Sequence, residues 1–175
     1  MSVVIWLTGI SGSGKTTIAE CLSANLRKKR IKHEILDGDI YRAILSPKSG
    51  YSIDERNEFR RKVIFIAELL IRNNIICIMP LVSSTRALRD ESRKKFSSFV
   101  EVYVNCPIEV CKQRDPKGFY KKAREGKISN VVGIDIPYEE PLNPEIIINT
   151  NLLSISQSIS IIEDILIKKF PNIFK

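Results

Sequence analysis

The first seventeen residues hold the pattern that most limits what this chain can fold into. A short apolar run at 3–7 leads through Thr8 into GISGSGKTT at positions 9–17, which matches G-x-x-x-x-G-K-[ST]. In this pattern the glycines let the backbone curl so that successive N–H groups point at phosphate oxygens. The stretch therefore predicts a strand, a phosphate-binding loop and a helix whose positive end faces the same anion.

We expect this loop to bind a nucleoside triphosphate as a phosphoryl donor, together with Mg²⁺. The predicted contacts with the donor nucleotide are Gly9, Ile10, Ser11, Gly12, Ser13, Gly14, Lys15, Thr16 and Thr17. Lys15 is the predicted catalytic cation, and the Thr16 hydroxyl is a predicted Mg²⁺ ligand. Asp37 follows the second predicted strand, where a carboxylate can act on Mg²⁺ or on an acceptor hydroxyl, so it is a second catalytic and metal-binding candidate.

Apolar runs of strand length alternate with longer helical patterns along the chain. This alternation is typical of βαβ units and predicts an α/β fold of the P-loop NTPase type, with a five-stranded parallel sheet flanked by helices in a single domain, 1–175. The predicted strands are 3–7, 34–36, 75–79, 99–104 and 146–148. The predicted helices are the one after the loop, 40–46, 52–72, 86–95, 108–114 and one from 155.

Charge and cysteine content narrow the class of partner. The net charge of +8 over 175 residues indicates anionic partners. The basic residues concentrate at 56–62 and 112–127 rather than on one helix face with interleaved aromatics, so we expect small nucleotides and no nucleic acid. The four cysteines lack metal-binding spacing. No apolar run is long enough to span a membrane and no signal peptide is visible, so we expect no membrane association and a cytoplasmic location.

Residues that follow the strands should meet at one edge of the sheet, because open parallel sheets bind ligands at the carboxyl ends of their strands. LDGDIYR at 36–42 places Asp39 and Arg42 beside the loop, and Asp39 is expected to cap the next helix. The alternative is an ordinary Asp-Gly turn with a capping aspartate.

Two basic segments are candidates for contact with phosphate groups. Arg56, Arg60 and Arg61 lie in the first turns of a predicted helix, and we expect one of them to clamp an acceptor phosphate and the others to be solvated. RDPKGFYKKAREG at 114–126 is typical of a mobile lid that excludes water, here set at about 112–132. The alternative is an ordinary basic helical hairpin.

Several of these segments together resemble adenylylsulfate kinases, which make PAPS from adenylyl sulfate (APS) and MgATP. The matching segments are GISGSGKTT, LDGDIYR, residues 50–52 with 54–56, EVYVNCPIEVCKQRDPKGFYKKAR at 101–124 and GIDIPYEEP at 133–141. The resemblance covers about residues 3–150. It implies a phosphotransferase whose acceptor is an alcohol group, the ribose 3′-hydroxyl of APS.

The resemblance also implies roles for acceptor-side residues. Asp39, Arg42 and Arg56 would hold the acceptor, and Lys117 and Gly118 would belong to the lid. The whole predicted acceptor site is Asp39, Arg42, Tyr51, Arg56, Phe59, Val82, Ser83, Lys117, Gly118 and Val131. Ser83 also matches a family serine sometimes assigned as a phosphoserine intermediate, although in-line transfer between two bound nucleotides needs no covalent enzyme.

The acceptor half departs from the family pattern. The aromatic residue and the threonine that usually precede Gly-Ile-Asp are Val131 and Val132, an asparagine of the long helix is Phe59, and the I-S-P-Y-R segment is VSSTR at 82–86. The missing aromatic would stack on the acceptor base opposite Tyr51, and losing one stacking face costs about 1–3 kcal/mol. The resemblance therefore leaves open which base the acceptor nucleotide carries.

These departures leave alternatives to APS open. A branch that resembles this family phosphorylates a cytidine-activated phosphoramidate, a capsule precursor. A nucleotide-dependent RNA-binding or regulatory module is another reading, and so is a nucleoside monophosphate kinase, which transfers to a phosphate instead of a hydroxyl. The sequence also leaves a homodimer open.

Overall fold

The computed structural model describes residues 2–48, 50 and 52–174, and within them five parallel strands form one sheet. The strands are β1 Val4–Thr8, β2 His33–Ile35, β3 Ile76–Pro80, β4 Phe99–Asn105 and β5 Ile146–Asn149. They lie in the order β2-β3-β1-β4-β5, and Val4 of the central strand is in register with Cys77 and Phe99. The predicted α/β sheet is confirmed. The predicted acceptor contact Tyr51 lies outside the described residues.

Helices connect the strands and cover both faces of the sheet. They are α1 Lys15–Lys28, α2 Gly38–Leu45, α3 Ile53–Arg72, α4 Arg86–Arg93, α5 Ile108–Arg114, α6 Phe119–Arg124, α7 Ile155–Lys169 and α8 Pro171–Phe174. Because side chains alternate along a strand, Ile5 and Leu7 pack with α1 and α7, whereas Val4 and Trp6 pack with α3. The central strand is thus fully buried, as its unbroken apolar sequence requires.

Side-chain caps mark the starts of α2 and α3, two helices that line the same cavity as the phosphate-binding loop. The Ser52 hydroxyl accepts a hydrogen bond from the Glu55 N–H, and the Glu55 carboxylate accepts one from the Ser52 N–H, which completes a capping box. The prediction of a long helix over 52–72 is therefore confirmed. The prediction that Asp39 caps α2 is wrong, because the extended residue Asp37 accepts the N–H groups of Asp39 and Ile40 at 2.9 and 3.4 Å.

The region predicted as a lid contains the end of α5, a turn through Gly118, and α6. Asp115 organises the turn, since its carboxylate accepts the backbone N–H groups of Tyr120 and Lys121 at 3.2 and 2.9 Å. Among the helices built from the described residues, none combines the length and apolar character needed to cross a membrane.

Candidate active site

A cavity of about 520 Å³ opens at the carboxyl ends of the strands. The phosphate-binding loop forms one part of its wall, and residues of α2, α3, the loop after β3 and the lid region form another. The predicted site residues in its wall are Ser11, Gly12, Gly14, Lys15, Thr16, Thr17, Asp37, Asp39, Arg42, Arg56, Phe59, Val82, Ser83, Lys117 and Val131. Most of the predicted donor and acceptor residues therefore share one space.

Four of the predicted residues lie outside that wall. Gly9 has no room for a Cβ, which would lie 2.4 Å from the Val104 carbonyl oxygen, so it lets the loop pass directly against β4. Ser13 is fully buried, and Ile10 lines a separate cavity together with residues of β4 and of the segment at 133–140. Gly118, at a φ of 66°, precedes the first residue of α6. These residues shape the loop and the lid rather than line the cavity.

Lys15, the first residue of α1, is almost completely buried. Its Nζ donates hydrogen bonds to the carbonyl groups of Gly9 at 2.9 Å and Ile10 at 2.8 Å. Burial lowers the pKa of Lys15 from 10.5 to about 8, and the negative charge of Asp39 opposes that shift. The ammonium group remains protonated at neutral pH, and an anion bound beside it would stabilise its charge further.

Thr16 and Asp37 meet at the carboxyl end of β2. The Thr16 hydroxyl donates to Oδ2 of Asp37 at 2.9 Å, while Oδ1 of the same carboxylate caps α2. Asp37 is 4% exposed, and each of its two carboxylate oxygens accepts a hydrogen bond. The position of the carboxylate is therefore fixed. These residues fit a Mg²⁺ ion that is also held by nucleotide phosphates, because Mg²⁺ prefers hard oxygen ligands and binds through few protein groups.

Charged residues from three elements, all of them predicted acceptor contacts, converge in the cavity wall. Asp39 of α2 forms an ion pair with Lys117 of the lid region. Arg42 lies over the Phe59 ring, 4.4 Å from its centre, and donates to the Gly50 carbonyl at 3.3 Å. Arg56 of α3 donates to the carbonyl of Asn130, which joins α3 to the far end of the lid region. The structure thus brings eight of the ten predicted acceptor residues together around one opening, all except Gly118 and the undescribed Tyr51.

The departures from the family pattern have distinct surroundings. Phe59 is 4% exposed and belongs to the core on the α3 face, where it also supports the Arg42 guanidinium. Val131 is 8% exposed and packs in a small cluster with Cys106, Cys111 and Tyr120. Both side chains are therefore structural as well as part of the cavity wall.

Ser83 lies at the turn that follows β3, with a φ of 45°. The Ser83 carbonyl accepts a hydrogen bond from the buried Arg89 guanidinium, whose Nε is 2.9 Å from Glu101. The backbone of this loop is thus anchored to α4 and β4.

Arg60 corrects an expectation from the sequence. The prediction of a solvated side chain is wrong for this residue, which is 8% exposed and lines the cavity. Its guanidinium donates to the Leu88 carbonyl and to the Glu91 carboxylate, both at 2.8 Å, and so joins α3 to α4. Arg61 is exposed, as expected for the solvated members of the group.

Sequence chemistry suggested no role for the segment at 133–141. In the structure it forms hydrogen bonds with the carboxyl end of β1 and with residues that follow β3. The Tyr138 hydroxyl is 2.8 Å from Oγ1 of Thr8. The Glu139 N–H donates to the Ser84 carbonyl, and its carboxylate accepts the Arg86 N–H, each at 2.8 Å. The segment thereby ties β1 to the loop after β3.

Sequence reasoning missed two hydroxyl groups that contact the phosphate-binding loop. The Tyr120 hydroxyl donates to the Ser11 carbonyl, and the Thr150 hydroxyl donates to the Ser13 carbonyl, both at 2.8 Å. Arg114, at the end of α5, donates to Thr150 Oγ1 at 3.1 Å. The lid motif contains Tyr120, but no local pattern marks Thr150, which reaches the loop only because β4 and β5 are neighbours.

A family model described as "Adenylylsulphate kinase" matches residues 1–149. The chain belongs to the adenylylsulphate kinase family. The recognition of this family from the sequence is confirmed, and so is the enzyme class, a phosphotransferase with ATP as donor and a hydroxyl group as acceptor.

Individual members of the adenylylsulphate kinase family are similar to almost the whole chain. The adenylyl-sulfate kinase of Rippkaea orientalis is 48% identical over 158 residues, 90% of this chain and 87% of that protein. The probable adenylyl-sulfate kinase of Archaeoglobus fulgidus is 48% identical over 151 residues, 86% of this chain and 97% of that protein. The Mycobacterium tuberculosis APS kinase CysC, solved in complex with AMPPNP and APS, has a TM-score of 0.90 and 35% identity, covering 94% of this chain and 97% of that one.

Proposed function

We propose that this chain transfers the γ-phosphoryl group of MgATP to the ribose 3′-hydroxyl of APS, giving PAPS. The observation that carries the proposal is one cavity whose wall contains both the phosphate-binding loop and the side chains of Arg42, Arg56 and Lys117. Direct transfer between two anionic nucleotides needs both of them in one enclosed space. The relatives named as adenylyl-sulfate kinases support this acceptor.

The loop end of the cavity binds the donor in this proposal. The loop amides and Lys15 stabilise the charge that develops on the transferring phosphoryl group, which is the main task of a phosphoryl-transfer enzyme. Thr16 and Asp37 are the residues that would hold Mg²⁺, and the ion would neutralise charge on the β- and γ-phosphates.

The other end of the cavity binds and orients the acceptor. APS carries a phosphate and a sulfate group, and the guanidinium groups of Arg42 and Arg56 suit planar, charge-assisted contacts with such oxyanions. Asp37, which contacts Thr16 and also lines the cavity, orients or deprotonates the acceptor hydroxyl. A loose transition state demands little covalent help, so Ser83 contributes to the cavity wall and forms no phosphoserine.

One observation favours a second acceptor class. Val131 occupies the place of the family's aromatic residue, lines the cavity and is packed against Tyr120 and Cys111. An aliphatic side chain offers less stacking to an adenine base. A cytidine-activated acceptor, such as cytidine diphosphoramidate, loses less from this change because its base has a smaller stacking face.

Incubation of the purified protein with MgATP and APS tests the proposal. We expect ADP formation that depends on APS, and mass and NMR analysis should locate the new phosphate on the 3′-oxygen. Phosphate found on an existing phosphate group would contradict the proposal and favour a nucleoside monophosphate kinase. Salt-sensitive RNA binding without any phosphorylated small molecule would favour the regulatory module.

A further inference from the structure

Two hydroxyl groups outside the phosphate-binding loop hold alternate carbonyl groups of that loop. Tyr120 of α6 holds the Ser11 carbonyl, and Thr150, the residue after β5, holds the Ser13 carbonyl. Tyr120 is 5% exposed, so the donor side of this hydrogen bond is buried. Thr150 is itself fixed by Arg114, which donates to its hydroxyl at 3.1 Å and to its carbonyl at 2.8 Å.

These contacts determine which way the next N–H groups point. In a trans peptide the carbonyl group and the following N–H point in opposite directions. A hydrogen bond that draws the Ser11 carbonyl to Tyr120 therefore turns the N–H of Gly12 the other way, and Thr150 does the same for Gly14. Gly12 and Gly14 both line the cavity, and their φ values of 77° and 102° are ones that glycine adopts readily.

Both glycines line the cavity, and protein atoms pack against them where a Cβ would project, so the cavity is the space open to their N–H groups. A Cβ on Gly12 would lie 2.9 Å from the Cys111 carbonyl oxygen, and one on Gly14 would lie 3.6 Å from the Thr150 methyl group. Tyr120 approaches from the same side as Cys111, with which it forms an apolar cluster.

We propose that Tyr120 and Thr150 are positioning residues that hold the Gly12 and Gly14 amides in the orientation that binds the donor phosphates. Donors fixed in advance need no reorganisation when the anion arrives, so they bind it more tightly than donors that must first turn. This inference rests on the proposed function only in that the loop binds the phosphates of ATP.

The test measures ADP affinity by isothermal titration calorimetry, without any acceptor. Tyr120→Phe and Thr150→Val each remove one hydroxyl group with little change of shape. We expect each to weaken ADP binding about three- to tenfold, the size of one net hydrogen bond. Thr150→Ser, which keeps the hydroxyl, should bind ADP like the unchanged protein. Tyr103→Phe is the matched control, because Tyr103 is a 7% exposed tyrosine of β4.

A second readout separates positioning from a general loss of structure. At saturating ATP, the acceptor KM of Thr150→Val should stay within about twofold of the original value, because the acceptor end is untouched. Unchanged ADP affinity in both Tyr120→Phe and Thr150→Val, or an equal loss in Tyr103→Phe, would overturn the positioning role. If Thr150→Val does not fold, Tyr120→Phe decides alone. An unchanged protein that binds no ADP would instead contradict the proposed function.

Discussion

Lys15 is the residue on which the proposed chemistry depends most. It is a buried cation held by two carbonyl groups of the loop, and its charge is opposed by burial and supported by Asp39. The protein maintains a charge in a place where water cannot solvate it well. Such a charge is worth more to a developing phosphoryl anion than a solvated one.

Lys15→Ala should therefore lower kcat by at least about 10²- to 10³-fold, as does the loss of one preorganised charge stabiliser. Steady-state turnover of ATP with APS measures this change. Lys28→Ala, at the exposed end of the same helix, is the control and should turn over normally. Near-normal turnover of Lys15→Ala would refute the mechanism.

The lowered pKa of Lys15 predicts a particular pH dependence. Below about pH 8 the free protein carries a protonated Lys15, and above it the charge that attracts ATP is lost. Because kcat/KM reports ionisation of the free enzyme, its value for ATP should fall about tenfold per pH unit above pH 8. A profile that stays flat to pH 9.5 would show that Lys15 remains charged there or that its charge is not needed.

At the scale of elements, the lid region and the first turn of α2 come together through the Lys117–Asp39 ion pair. Both side chains are partly exposed, at 41% and 48%, so the pair contributes little to folding stability. A role in covering the acceptor is the better explanation for a lysine placed there.

Lys117→Ala should raise the acceptor KM about tenfold while leaving ADP affinity unchanged, since a charge-assisted contact to an anion is worth about 1.5–3 kcal/mol. Initial rates at varied APS, together with ADP titration, separate the two effects. Lys121→Ala, which removes an exposed charge from the same lid region, is the control. An equal change in both variants would indicate only a general field of positive charge.

Ionic contacts join helix α4 to strand β4 and stabilise the folded chain. Arg89 is 2% exposed and pairs with Glu101, which is also 3.2 Å from Arg93. Arg89→Met leaves Glu101 buried with one partner fewer, and we expect the free energy of unfolding to fall by about 3 kcal/mol. Urea unfolding measures it, with the exposed Asp90→Ala as control. A loss below about 1 kcal/mol would mean that the pair behaves like a solvated one.

At the scale of the whole molecule, local patterns predicted the sheet and most helices well. The apolar runs, the loop motif and the Ser52 cap each depend on residues close together in sequence. Each could therefore be recognised from the sequence alone. The strand-edge rule also placed Asp37, Asp39 and Arg42 correctly around one cavity.

The features that could not be predicted depend on contacts between distant residues. Arg60 looks like any basic residue on a helix until α4 is packed against it. Asp37 and Asp39 are equally good caps in sequence, and only the strand's end decides between them. Thr150 meets the loop 137 positions earlier in the chain, so no window of sequence reveals that contact.

The most direct test of the proposed function compares kcat/KM for APS with kcat/KM for cytidine diphosphoramidate, in the same protein and buffer, with the phosphorylated product located by mass analysis. The proposal predicts that APS is the better acceptor and that its 3′-hydroxyl is phosphorylated, so that Val131 and Phe59 are tolerated variations. Efficient phosphorylation of the cytidine compound with poor use of APS would contradict it, and would mean that the acceptor end of the cavity has a different specificity.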